Sequence, residues 1–109
     1  METISIVLNV GSEHVGAFER GFQQKEAPIW KDLESRGVLT MATLTRLDIS
    51  TKPLDGANQY LVVAIFATEE GHHMHDSDPR FDAWNKEADT YQIAEPYVFG
   101  GGTIVSVGG

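Results

Sequence analysis

Apolar and polar positions alternate along the first ten residues, with Ile4, Ile6, Leu8 and Val10 on one side and Thr3, Ser5, Val7 and Asn9 on the other. A period of two marks a strand. Gly11-Ser12 ends it, and Ser12 offers a cap to a helix that follows. The period then changes: Val15, Phe18, Phe22, Ile29 and Leu33 form a helical stripe that runs almost to Gly37, a natural left-handed stop. Pro28 falls inside this stripe and should kink or split the helix, because it lacks an N–H and its ring crowds the preceding turn.

Alternation returns over residues 38–49, where Leu39, Met41, Leu47 and Ile49 share a parity. A turn-rich stretch, Thr51 to Asn58, holds Pro53 and Asp55-Gly56. Residues 60–67 are apolar on both parities, which predicts a central strand covered on both faces. A second helical segment is expected from Glu69 to about Gln92, interrupted near Asp78-Pro79. There the aspartate can accept from free N–H groups, and proline at the first helical position wastes none. Behind that cap, Phe81, Trp84, Ala88 and Tyr91 share a face. Glu95-Pro96 and Gly100–Gly102 read as a loop, and Thr103–Val107 as a last short strand.

The order β-α-β-β-α-β predicts a single α+β domain over residues 1–109: an antiparallel ferredoxin-like sheet with both helices on one face. The other sheet face is apolar too, and an exposed patch of that size calls for a partner. Packing of two sheets into a homodimer would cover it.

Charge and composition narrow the function. The formal net charge is −8, and residues 69–95 hold eight acids against two bases, Arg80 and Lys86. That balance disfavours nucleic acid and anionic membrane surfaces as partners. No apolar run approaches the ~20 residues that span a bilayer. The N-terminus has no basic region or cleavage site of a signal peptide, and cysteine is absent, so the cytoplasm is the expected compartment. Gly100-Gly101-Gly102 precedes a strand and lacks a lysine, so it is not a phosphate loop.

Candidate chemistry concentrates in Thr68–Trp84, which holds three of the four histidines. His72 and His75 share a helical face, the spacing of a metal-ligand pair, but a third ligand is missing, and the expectation is no metal and no cofactor. An acid–base role fits better. Neighbouring carboxylates raise the pKa of an imidazole, and His75, or else His72, facing an apolar pocket could act as general base. Asp78 would orient it or hold the helix mouth. Phe81, Trp84 and Tyr91 pack as core or line a pocket, with the Tyr91 hydroxyl able to donate to a developing anion. Arg80 either pairs with neighbouring acids on the surface or clamps an anionic substrate group. Glu26, just before Pro28, could point into the pocket or turn outward.

Two short motifs add to this reading. Leu33-Glu-Ser-Arg-Gly37-Val-Leu looks like the helix end of YciI-like proteins, and Phe66-Ala-Thr-Glu-Glu…Asp78-Pro79 looks like their third strand, short helix and following turn. Asp78-Pro79-Arg80-Phe81 is also similar to a motif of EthD-like and monooxygenase-like proteins. Together with the element order, they make the chain resemble the dimeric α+β barrel superfamily. Its members include YciI-like and EthD-like proteins, antibiotic-biosynthesis monooxygenases, muconolactone isomerase and small polyketide cyclases. The resemblance implies a homodimer and a pocket between helices and sheet in each subunit. It also implies cofactor-free chemistry on small aromatic or polyketide-like molecules. One departure stands out. YciI-like proteins pair a first-helix histidine with the aspartate of the turn, and in the register set by Gly37 that histidine position falls at Glu26. The expected function is a tailoring enzyme acting by proton transfer (cyclase, isomerase or dehydratase) or by cofactor-free oxygenation. The alternative is a non-catalytic metabolite-binding or accessory protein of the same fold.

Overall fold

The computed structural model describes residues 1–108. Four antiparallel strands, β1 (Glu2–Gly11), β2 (Leu39–Arg46), β3 (Ala57–Phe66) and β4 (Gln92–Gly102), form one sheet in the order β2-β3-β1-β4. The helical run after β1 comprises a 3-10 turn (Ser12–His14), α1 (Val15–Gly21), a π-helical segment (Phe22–Glu26) and α2 (Ala27–Ser35). Between β3 and β4 lie α3 (Glu69–Asp76) and α4 (Pro79–Asp89). This is the α+β ferredoxin-like order that the alternation predicts.

Side-chain parity assigns the two sheet faces. Ile4, Val10, Tyr60, Val62, Ala64 and Phe66 are buried under the helices, against Phe18, Phe22, Ile29, Leu33 and Trp84. On the opposite face, Val7, Leu61, Val63, Ile65 and Met41 are half-buried, and Phe99 is exposed.

Local rules explain most boundaries. Gly37, at φ 73°, closes α2 with paired bonds from Val38 N–H to Leu33 C=O and from Gly37 N–H to Glu34 C=O. Asp78 caps α4 by accepting from the Arg80 N–H at 2.8 Å. Gly21 is demanded by packing, because a Cβ there would stand 2.5 Å from the Trp84 ring. Gly71, a poor helix former in sequence, lets α3 close on Val38 and Phe66, which a Cβ would meet at 3.0 and 3.1 Å.

Several expectations are corrected. Ser12 does not cap a helix; its hydroxyl donates to the Gly56 carbonyl and bonds Asn58, tying β1 to the start of β3. Leu39 and Met41 do not share a face, because a bulge shifts the β2–β3 register between them. β2 ends at Arg46, leaving Leu47 and Ile49 outside it. The last strand begins at Gln92, not Thr103, and runs through both Pro96 and the glycines. An edge strand tolerates a proline whose missing N–H would face away from the sheet, and the β1–β4 register is irregular between Val7 and Val10. Gly100 lies so close to β1 that a Cβ would meet Ile4 at 2.8 Å.

Pro28 splits the first helical run in a particular way. The turn before it widens to π geometry, with Ala27 N–H reaching back to the Phe22 carbonyl, and Pro28 then sits in the first turn of α2, where it has no helical partner to lose. An extra residue in one turn re-aims the side chains that follow. Glu26, the last residue of the π segment, is thereby turned inward.

Candidate functional site

Between the helices and the sheet lies a cavity of about 290 Å³. Its walls are aromatic and aliphatic: Phe18, Phe22, Trp30, Phe66, Phe81 and Trp84 over Ile4, Ile6 and Val62. Phe22 meets Trp30 and Trp84 edge-on, with ring centroids 5.1 and 6.1 Å apart. Four titratable residues join the lining at one end: Glu26, His72, His75 and Asp76. Neither lysine nor arginine lines it.

Glu26 and His75, 49 residues apart in the chain, meet here. Their side chains are only 4% and 11% exposed, and His75 Nε2 lies 2.5 Å from Glu26 Oε1. The second ring nitrogen, Nδ1, lies 2.9 Å from Asp76 Oδ1. Phe81 packs on the imidazole with centroids 4.3 Å apart. An imidazole with a carboxylate on each nitrogen is best matched as the cation, which donates from both. Burial pulls the His75 pKa down, but the hydrogen bonds and charges of Asp76 and Glu26 outweigh it and push it up to about 9. Burial likewise pushes Asp76 up, and His75 and His72 more than offset this and hold its carboxyl below the usual range.

The other oxygen of the buried carboxylate, Glu26 Oε2, has no hydrogen-bond partner among the described residues. Leaving such an acceptor unpaired costs roughly 1–3 kcal/mol, more when charged. Behind Asp76 the chain of polar groups continues outward. His72 Nε2 lies 2.8 Å from Asp76 Oδ2, and His72 Nδ1 stands 3.2 Å from Glu2 Oε1 without hydrogen-bond alignment.

The residues singled out in sequence thus separate into two groups. Glu26, His72, His75, Phe81 and Trp84 line the cavity; Asp78, Arg80 and Tyr91 do not. Asp78 holds the mouth of α4 and leaves the orientation of His75 to Glu26 and Asp76; the Arg80 guanidinium beside it draws its carboxyl down to about 2. Arg80 spans Asp78 and Asp32 on the surface. The Tyr91 hydroxyl donates to Glu87 at 2.9 Å. Of the two carboxylates flanking the histidines in sequence, Asp76, directly after His75 on the same short helix, is the one that bonds its ring. Among the described residues, no group of three or more His, Cys, Asp or Glu is arranged to hold a metal ion.

No family model matches the chain, and no curated protein matches it in sequence. Solved structures do match. A Caulobacter crescentus protein named "putative antibiotic biosynthesis monooxygenase" superposes with a TM-score of 0.77 at 16% identity, covering 95% of this chain and 90% of that one. HapK from Hahella chejuensis gives 0.72 at 16% identity over 100% and 98% of the two chains. A NIPSNAP domain protein from Burkholderia xenovorans gives 0.67 at 11% identity over both full lengths. At these identities the likeness is one of fold. The chain has the ferredoxin-like fold of antibiotic biosynthesis monooxygenase-like proteins, consistent with the superfamily that its short motifs resemble. Among the described residues, no helix is long and apolar enough to cross a membrane.

Proposed function

We propose that this chain is a small-molecule tailoring enzyme that works by proton transfer on an aromatic or polyketide-like substrate held in the cavity. One observation carries the reading: a buried carboxylate–imidazole pair in the wall of a mostly apolar cavity, with one carboxylate oxygen unused by the protein. Ligand sites are mostly apolar with a few placed polar groups, and this cavity has that composition.

The roles within the pair differ from those the sequence suggests. With its pKa near 9, His75 is already protonated at neutral pH and is a poor base there. Glu26 is the better base: Oε2 takes a proton from an acidic C–H or O–H of the substrate. The electron pair of that bond stays on the substrate as an enolate or phenolate, and the His75 imidazolium remains beside the new anion. Returning the proton from Oε2 to another substrate atom completes an isomerisation, and the same anion opens cyclisation or dehydration. It is also the species that molecular oxygen can oxidise without a cofactor. Asp76 is a positioning residue that holds the imidazolium from its other nitrogen.

The test is solvent exchange. 2-Naphthol, whose C1–H exchanges slowly through its keto tautomer, is incubated with the protein in D₂O and followed by NMR. Acceleration is expected, with a loss of ~10²–10⁴-fold in Glu26→Gln. Probes that bind without any acceleration would favour the non-catalytic metabolite-binding role over an enzyme.

We also infer a homodimer that covers the open sheet face, supported by the half-buried Val7, Leu61, Val63, Ile65 and Met41 on it. Light scattering at micromolar concentration should give twice the 12.0 kDa chain mass. A monomer would contradict it.

A further inference from the structure

We infer that the cavity selects an uncharged ligand of about two fused rings that presents an O–H or N–H donor to Glu26 Oε2, and that it excludes anionic ligands. This rests on the proton-transfer reading of the same pair and goes further, because it specifies which molecules enter.

Three features of the site lead there. First, buried acceptors in folded proteins nearly always have a donor, and Oε2 has none from this chain. Oε1 already accepts from His75, so the oxygen left without a donor is a single, located one. A donor arriving through the cavity that Glu26 lines would satisfy it, whereas an ether or ketone oxygen would set lone pair against lone pair. Second, the charge around the pair is negative. Glu26 and Asp76 flank the His75 imidazolium, with Glu2 behind His72, and neither lysine nor arginine lines the cavity. The guanidinium of Arg80 is committed to Asp78 and Asp32 outside it. A carboxylate or phosphate would therefore lose its hydration and meet a cation, His75, that is already paired on both nitrogens. Third, a cavity of about 290 Å³ lies at the bottom of the ~300–1,000 Å³ range of ligand pockets, which favours a compact bicyclic skeleton over a long chain. Its rings, Phe22, Trp30, Phe81 and Trp84, offer faces and edges to a flat molecule.

Three probes of one size separate these demands: 2-naphthol, which donates; 2-methoxynaphthalene, which only accepts; and 2-naphthoate, which is anionic. Binding to the intact protein at pH 7 is measured by ligand-observed NMR titration. The expected order is 2-naphthol at least tenfold tighter than the ether, with no measurable binding of the naphthoate. In Glu26→Gln the preference of the alcohol over the ether should fall below threefold, because an N–H can then take the place of Oε2. Equal binding of alcohol and ether, naphthoate binding as well as the alcohol, or no binding of any probe would overturn the inference. So would a preference that survives in a folded Glu26→Gln, since the donor would then dock elsewhere. The wild-type series stands without the variant, should the variant fail to fold. These affinities are read without turnover, so ligand selection can fail while deuterium exchange persists, and exchange can fail while selection holds.

Discussion

Glu19 and Glu26 lie seven residues apart on one helical run, two turns on a regular helix, yet the protein treats them in opposite ways. Glu19 sits at the solvent edge and gathers three donors on one oxygen: its Oε2 accepts from the Tyr60 hydroxyl at 2.5 Å and from both Nε and a terminal nitrogen of Arg46. Tyr60 and Arg46 hold its carboxyl below the usual range, while burial and the glutamate push the Tyr60 hydroxyl up to about 12. Glu26 is buried, bonded by His75 alone, and keeps one oxygen unpaired. A carboxylate that only braces the fold collects its donors from the fold. One that is sealed in a cavity wall and left incomplete has its last partner still to come, and the π turn between the two residues is what sends the second one inward.

That contrast can be broken by mutation. Removing one partner of a buried ion pair typically costs 3–5 kcal/mol, because the other charge is left uncompensated, whereas an exposed pair contributes at most about 1 kcal/mol. Glu26→Leu should therefore lower stability in urea denaturation several-fold more than Glu19→Leu. Equal losses would mean that Glu26 is as well solvated as Glu19.

The pH dependence of folding should follow the buried pair as well. His75 is raised from an ordinary 6.5 to about 9 in the folded state, so its contribution is complete below pH 6.5 and is lost as pH rises toward and through 9. The shift corresponds to about 3 kcal/mol at most. Urea melts between pH 6 and 10 should show a decline in wild type that is absent from His75→Phe. A smaller effect is expected at the opposite wall of the cavity. Gly21→Ala drives a methyl into the Trp84 ring and should cost about 1–3 kcal/mol with a change in tryptophan fluorescence. An unchanged melt would show that Trp84 can move aside freely.

Much of this architecture can be read directly from the chain. Alternation places Ile4 through Val10 in the sheet and a run apolar on both parities places Tyr60 through Phe66 there, and Gly37 and Asp78-Pro79 mark helix limits by backbone chemistry that acts within a few residues. The site is legible only in part. Glu26 and the histidines stand out by type, but helical periodicity assumes a constant turn, and the π segment breaks it just where the facing of Glu26 is decided. Its pairing with His75 spans the whole central hairpin, so no local pattern announces it. Asp78, Arg80 and Tyr91 lie near the cavity in sequence and outside its lining in space, because each finds a closer partner on its own helix or the next. β4 shows the same limit: Pro96 and three glycines read as a loop, and only pairing with β1 makes them a strand.

The central claim is that His75 is held as a buried imidazolium by its pairing with Glu26. Nitrogen-15 NMR of the two ring nitrogens of His75, recorded from pH 5 to 11 in wild type and in Glu26→Gln, tests it most directly. The account predicts both nitrogens protonated at pH 7.5 with a midpoint near 9 in wild type, and a lower midpoint in the variant. A wild-type midpoint at or below 6.5, or one unmoved by the substitution, would contradict it.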